Sequence, residues 1–183
     1  MSFPSLLTLP GTHQQNSLPK LEIRNIKISI ILKSKTNFFG IFEIDKAIVT
    51  IYENTRHLIN VTKLKGKQEI HDITLLISEY FNFESDNIEC VRIDSIMLSR
   101  KVKDRKFSMK RMLKVCHIFK DSFKLDFNHE LFHAPWIKSR FGSFNLFCTG
   151  SVTVLGVKKF CDIEKIQLFI DKVYCEDNEI KLL

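Results

Sequence analysis

The sequence predicts an α+β fold in which one antiparallel sheet carries helices on a single face and is built from two copies of the same unit. Three observations lead there. Apolar and polar residues alternate through several short segments, and the apolar period lengthens to that of a helix late in each half. The two halves also run through these elements in the same order, which is the mark of an internal duplication.

In the first half, residues 21–32 (LEIRNIKISIIL) put Ile26, Ile28 and Ile30 on one face and Asn25, Lys27 and Ser29 on the other, a strand with one side buried. The polar stretch KSKTN then turns the chain. GIFEI and AIVTIY follow, separated only by Asp45 and Lys46, so they form a tight hairpin, and ENTR leads into a third strand, HLINVT. Ile70, Ile73, Leu76, Ile77, Tyr80 and Phe81 recur at helical spacing, opposite Glu69, Asp72, Ser78 and Glu79.

The second half opens with VRIDSIMLS (91–99), which alternates about a central Ile as residues 21–29 do. The insertion KVKDRKFSMKRMLKVCHIF is expected to hold a short basic helix. FHAPWIK, SFNLFCTG and SVTVLG read as strands, and Ile163, Ile166, Ile170, Val173 and Tyr174 mark a closing amphipathic helix. The expected organisation is a flexible leader over 1–19, rich in Pro, Gly, Gln and Asn, then one repeat over 20–90 and a second over 91–183. Such a sheet leaves one face bare.

Composition narrows the class of function. Twenty-eight Lys and Arg against 21 Asp and Glu give a net charge of +7, which favours a polyanionic partner, although solubility alone accounts for charge of this size. Sixteen Phe are more than scattered surface positions explain. The five Cys form no CxxC pair, and their odd number points to a reducing, intracellular compartment. Pro4 and Pro10 interrupt the N-terminal leucines without a preceding basic region, so no signal peptide is expected, and no apolar run reaches membrane-spanning length. There is no P-loop, nucleophile elbow or dinucleotide fingerprint, and His129 and His133 have no third ligand, so neither an enzyme nor a cofactor or metal is expected.

These residues resemble the TATA-box-binding proteins. Phe147 to Lys158 (FCTGSVTVLGVK) is similar to that family's run of Phe, a spacer, Ser-Gly-Lys, β-branched residues and Thr-Gly-Ala-Lys. HELFHAPWIK resembles its stirrup, and IRNIKIS and RIDSIMLS its Ile-Gln-Asn-Ile-Val strands. The likeness spans about residues 21 to 176, with two departures: the first half lacks a helix between its opening strand and hairpin, and the second stirrup is about two residues short. It implies a saddle whose helices cover the convex side and whose concave side lies in a DNA minor groove.

The resemblance also implies site residues. Phe132 and Phe147 match one pair of wedges that enter base steps; Tyr52 is the first-half equivalent of Phe147, with Phe38 or Phe39 as its partner, and core packing is the alternative role for these rings. The groove face would comprise Asn25, Lys27, Thr50, Leu58, Asn60, Ser95, Met97, Asn145, Thr153 and Leu155. Lys27 and Met97 stand where the family prefers Val, Ser95 where it has a second Asn, and Leu155 where it has Thr, so strict TATA preference is not implied. Phosphate contacts would come from Arg56, Lys63, Lys138 and Lys158, and Glu130 matches a stirrup Glu that meets the general transcription factor IIB. The basic run Arg100–Lys114, with eight cations against one Asp, would extend the DNA footprint, dock an acidic factor or simply be solvated.

The expected function is therefore a transcription initiation factor that binds and bends A·T-rich promoter DNA and recruits initiation factors and RNA polymerase, in a nucleus or the transcription compartment of a DNA virus. The rival is a scaffold that keeps the fold and its protein partners but has lost DNA binding. A weaker third reading is an inhibitor module borrowing the fold.

Overall fold

The computed structural model describes residues 18–102, 106–118, 123–126 and 134–174. Among these residues the chain forms one nine-stranded antiparallel sheet with the strand order β2-β3-β4-β1-β5-β9-β8-β7-β6. The strands are β1 (Glu22–Leu32), β2 (Gly40–Ile44), β3 (Ala47–Ile51), β4 (Leu58–Leu64), β5 (Ile88–Arg100), β6 (Phe123–Asp126), β7 (Trp136–Ser139), β8 (Gly142–Leu146) and β9 (Val152–Val157). Among the described residues three α-helices accompany them: α1 (Lys67–Tyr80), α2 (Met109–Ile118) and α3 (Asp162–Tyr174).

Alternation decides which face of each strand is buried. Ile26, Ile28 and Ile30 of β1, Val49 and Ile51 of β3, Ile59 and Val61 of β4, Ile96 and Leu98 of β5, Phe144 and Leu146 of β8 and Val152 and Val154 of β9 join one core. Ile73 and Ile77 of α1, Met112 and Cys116 of α2, and Ile166, Ile170 and Val173 of α3 enter the same cluster. All three helices therefore lie on one face, and among the described residues nothing covers the other.

The sheet is symmetric by register. Outward from the central β1–β5 pair, β4 matches β9, β3 matches β8 and β2 matches β7. Thr50 pairs with Asn60 and Asn60 with Ser29; correspondingly Asn145 pairs with Thr153 and Thr153 with Ser99. Ile26 faces Leu64 on one side of the centre as Ile96 faces Val157 on the other, and Ile26 and Ile96 face each other at the centre itself. The first hairpin turns on Asp45 and Lys46, both at positive φ (44° and 68°), the two-residue turn whose twist suits antiparallel strands.

Two elements depart from the sequence reading. β6 pairs along β7 and gives the second half an outer strand that the first half lacks; its four residues are too few to show a period. The last two residues of the expected leader, Leu18 and Pro19, are held: Leu18 packs on the core, and the Pro19 carbonyl accepts from Arg100 Nη1 at 3.4 Å. The chain does run from β1 to β2 without a helix, through residues 33–39.

Arg100 is the exception in the core. It occupies the second-half position that Ile30 holds in the first, and its side chain is fully buried. Nη1 pairs with Asp171 Oδ1 at 2.6 Å, Nε donates to the Gly150 carbonyl at 3.2 Å, and the guanidinium lies 5.3 Å from the centre of the Tyr174 ring. Gln167 extends the network, donating to Asp171 Oδ2 at 2.6 Å and accepting from the Leu21 amide at 2.7 Å. A buried guanidinium is tolerable only with such partners.

Candidate nucleic-acid interface

On the uncovered face, cross-strand pairing lays out matching rows. The first half presents Ile41, Thr50, Asn60, Ser29 and Arg92 side by side; the second presents Trp136, Asn145, Thr153, Ser99 and Glu22. Asn25, Lys27, Ser95 and Met97 surround the central dyad, with Asn25 opposite Met97 and Lys27 opposite Ser95. Leu58 lies at the start of β4, and Leu155 is 42% exposed on β9. All the expected groove residues thus share one face, because each alternates with a core residue.

Local hydrogen bonds already engage part of this face. Asn25 Oδ1 accepts from the Lys63 amide at 2.7 Å, fixing a bulge in which Lys63 takes φ 70°. Ser29 Oγ, whose single proton goes to Asp94, lies 3.4 Å from Asn60 Oδ1.

The aromatic candidates separate. Tyr52, one residue past β3, is 56% exposed, and Phe147, one residue past β8, is half-buried. The Phe147 carbonyl accepts from Tyr174 Oη at 2.8 Å, and burial pushes that phenol up. Phe39 shares the parity of Ile41, is 53% exposed and lies under Arg56 at 4.8 Å. Phe38 has the opposite parity, and its ring sits 4.9 Å from that of the core residue Phe81, on the helical side. Of the two adjacent rings, Phe39 belongs to the open face. Phe132 and Glu130 lie outside the described residues.

The expected phosphate ligands are dispersed around this face. Lys138 lies 4.6 Å from the Trp136 ring, Arg56 pairs with Glu53 at 3.4 Å, and Lys158 Nζ donates to the main-chain oxygen of Asp94. Lys63 is exposed at its bulge.

No family model matches the sequence, and no curated protein is significantly similar to it. A solved structure does match: Methanococcus jannaschii TBP, with TM-score 0.62 and 15% identity over 85% of this chain and 98% of that one. The fold is TBP-like. At that identity the likeness concerns the backbone alone, so what the open face of this TBP-like saddle binds must be argued from its own side chains.

Sequence reasoning passed over several of them. Ile41, 76% exposed, and Trp136, 40% exposed, occupy equivalent places on the open face. The hairpin register supplies that equivalence, since Ile41 and Trp136 each stand four residues before the first residue of their two-residue turns. Two ion pairs were also missed. Arg24 pairs with Glu22 at 2.8 Å and donates through Nε to Ser99 Oγ at 2.6 Å. Asp94 accepts from Arg92 Nε at 3.0 Å and from Ser29 Oγ. Both sit where the β1–β5 register slips, at Arg24 and at Asp94, and alternation cannot assign a face to a bulged residue.

Proposed function

We propose that this chain is a DNA-binding protein that lies in the minor groove of A·T-rich DNA, bends it and serves in transcription initiation. The observation that carries this reading is the uncovered strand face of the TBP-like saddle, lined by mixed polar and apolar side chains and bearing exposed aromatic residues towards both ends. An A·T pair offers acceptors and apolar edge in the minor groove, which such a lining suits. Phe39 and Tyr52 in the first half, and Phe147 with Phe132 in the second, are the wedges. Asn25, Lys27, Leu58, Asn60, Ser95, Met97, Asn145, Thr153 and Leu155 meet the groove, and Arg56, Lys63, Lys138 and Lys158 reach phosphates. The net charge of +7 supports the choice of a polyanion.

The chain then acts as a binding protein, recruiting a factor-IIB-like partner through Glu130 together with RNA polymerase, in a nucleus or the transcription compartment of a DNA virus. Gel shifts on A·T-rich duplex over a salt series test the reading. Affinity should fall with salt, and Phe132→Ala with Phe147→Ala should abolish the bend and weaken binding at least tenfold; insensitivity to both changes would falsify it. Glu130→Arg should lose the factor-IIB-like partner while DNA binding persists.

A second reading, the scaffold that has lost DNA, draws on one observation: Asp94 places a carboxylate on the face that would meet acceptors. Co-purification with polymerase subunits, without affinity for any duplex at moderate salt, would select it.

A further inference from the structure

The ion pairs flanking the dyad are equivalent in position and carry their two charges in reverse order. Register equates Asn25 with Ser95 and Ser29 with Ser99, so Arg24 corresponds to Asp94 and Glu22 to Arg92. The hydrogen bonds repeat as well: Arg24 reaches Ser99, and Asp94 is reached by Ser29. Each inner residue is therefore bonded to the equivalent serine across the strand pair, with a donor on one side of the dyad and an acceptor on the other. Asp94 is the more firmly fixed, since its serine is 1% exposed and its own side chain only 19% exposed.

We propose that these two residues give the groove-binding face a polarity: the half carrying Asp94 selects a base pair with a guanine amino group, and the half carrying Arg24 selects A·T pairs. The minor groove offers only two kinds of edge. A·T pairs in either direction show acceptors alone, and a G·C pair adds the N2 amino donor. A guanidinium satisfies acceptors and a carboxylate does not, so one symmetric duplex cannot suit both halves. Asp94, the residue that counts against DNA binding on uniform A·T sequence, becomes a specificity determinant on an asymmetric site. The bound protein would then point one way along the duplex. This inference rests on the minor-groove reading above.

Base analogues test it on the protein itself. Inosine deletes the guanine amino group and 2,6-diaminopurine adds it to adenine, so each half of a duplex can be altered by that group alone. Orientation is read from strand cleavage by a reagent tethered to the exposed Cys161, with Cys90, Cys148 and Cys175 replaced by Ser. A duplex with amino groups in one half should be bound in one direction, that half beneath Asp94, and moving the amino groups to the other half should reverse it. Deleting them should weaken binding about tenfold, the scale of one charge-assisted hydrogen bond. Exchanging the pairs by Glu22→Arg, Arg24→Asp, Arg92→Glu and Asp94→Arg should invert the preferred direction. Binding in both directions alike, or an unchanged direction after the exchange, overturns the proposal and leaves the minor-groove reading standing. Failure to bind every duplex overturns both. The analogue series stands even if the four-residue exchange does not fold.

Discussion

The two halves of the sheet share a pairing register and differ in what fills it. Val49 and Phe144 occupy the same place, as do Ala47 and Gly142, Lys63 and Gly156, and Ile30 and Arg100. The first half closes its core with aliphatic strand side chains beneath α1 and with Phe81 at the end of that helix, against which Phe42 packs. The second has an additional helix, α2, which brings Met112 and Cys116 into the core, and it places there a larger ring, Phe144, and the buried guanidinium of Arg100, whose partner Asp171 stays partly exposed. Backbone hydrogen bonds thus preserve a register through side-chain changes that no single position would predict, because each half repacks as a unit.

The comparison can be broken at chosen positions. The largest effect is expected at Phe144: its truncation to Ala should cost about 3–5 kcal/mol, and Val49→Ala, with fewer buried atoms removed, about 2 kcal/mol. Equal losses in urea denaturation would show that the halves are packed alike. Next is Asp171→Ala, which strands the Arg100 charge and should cost about 2–3 kcal/mol; Arg100→Leu combined with Asp171→Ala should cost less than Asp171→Ala alone. A double variant weaker than the single one would mean that the network carries more than charge compensation.

Smaller contrasts sharpen the picture on the open face. Ser29 is buried against Asp94, so Ser29→Ala should lose about 1–2 kcal/mol, whereas Ser99→Ala, beside the half-exposed Arg24, should lose only about 0.5 kcal/mol. At the equivalent bulges Lys63 has φ 70° and Gly156 φ 77°, so Lys63→Gly should raise stability by about 1 kcal/mol, seen as a slightly higher melting midpoint, and Gly156→Lys should lower it.

The smallest effect is chemical. Burial pushes the Cys116 thiol up to about 11, so it should resist thiol reagents at neutral pH while the exposed Cys90 and Cys161 react. The sign in alkali follows from the same shift. Cys116 is neutral when folded, and the unfolded thiol ionises first, so stability is full below pH 9.0 and declines as pH rises towards about 11.

Much of the candidate site was legible because alternation is a local property. Lys27, Asn60, Asn145 and Thr153 declare their face by the core residues on either side of them, and the turn at Asp45 and Lys46 sets the first register. Other features required the neighbouring strands. Phe38 and Phe39 are adjacent and chemically identical, and only the position of Phe81 separates them. Arg24 and Asp94 lie at bulges, where the two-residue period fails, and β6 is too short to have a period. Glu22–Arg24 and Arg92–Asp94 are recognisable as counterparts only once Ser99 and Ser29 are seen across the strand boundary.

By itself the sequence determined the order of elements, the duplicated plan and the side of each regular strand that is buried, because hydrophobic period and turn chemistry act over a few residues. The tertiary structure decided which polar groups meet across strands, how an arginine came to sit in a core position, and that opposite charges flank the dyad. Those outcomes depend on distances between segments far apart in the chain, and such distances exist only after the sheet has closed.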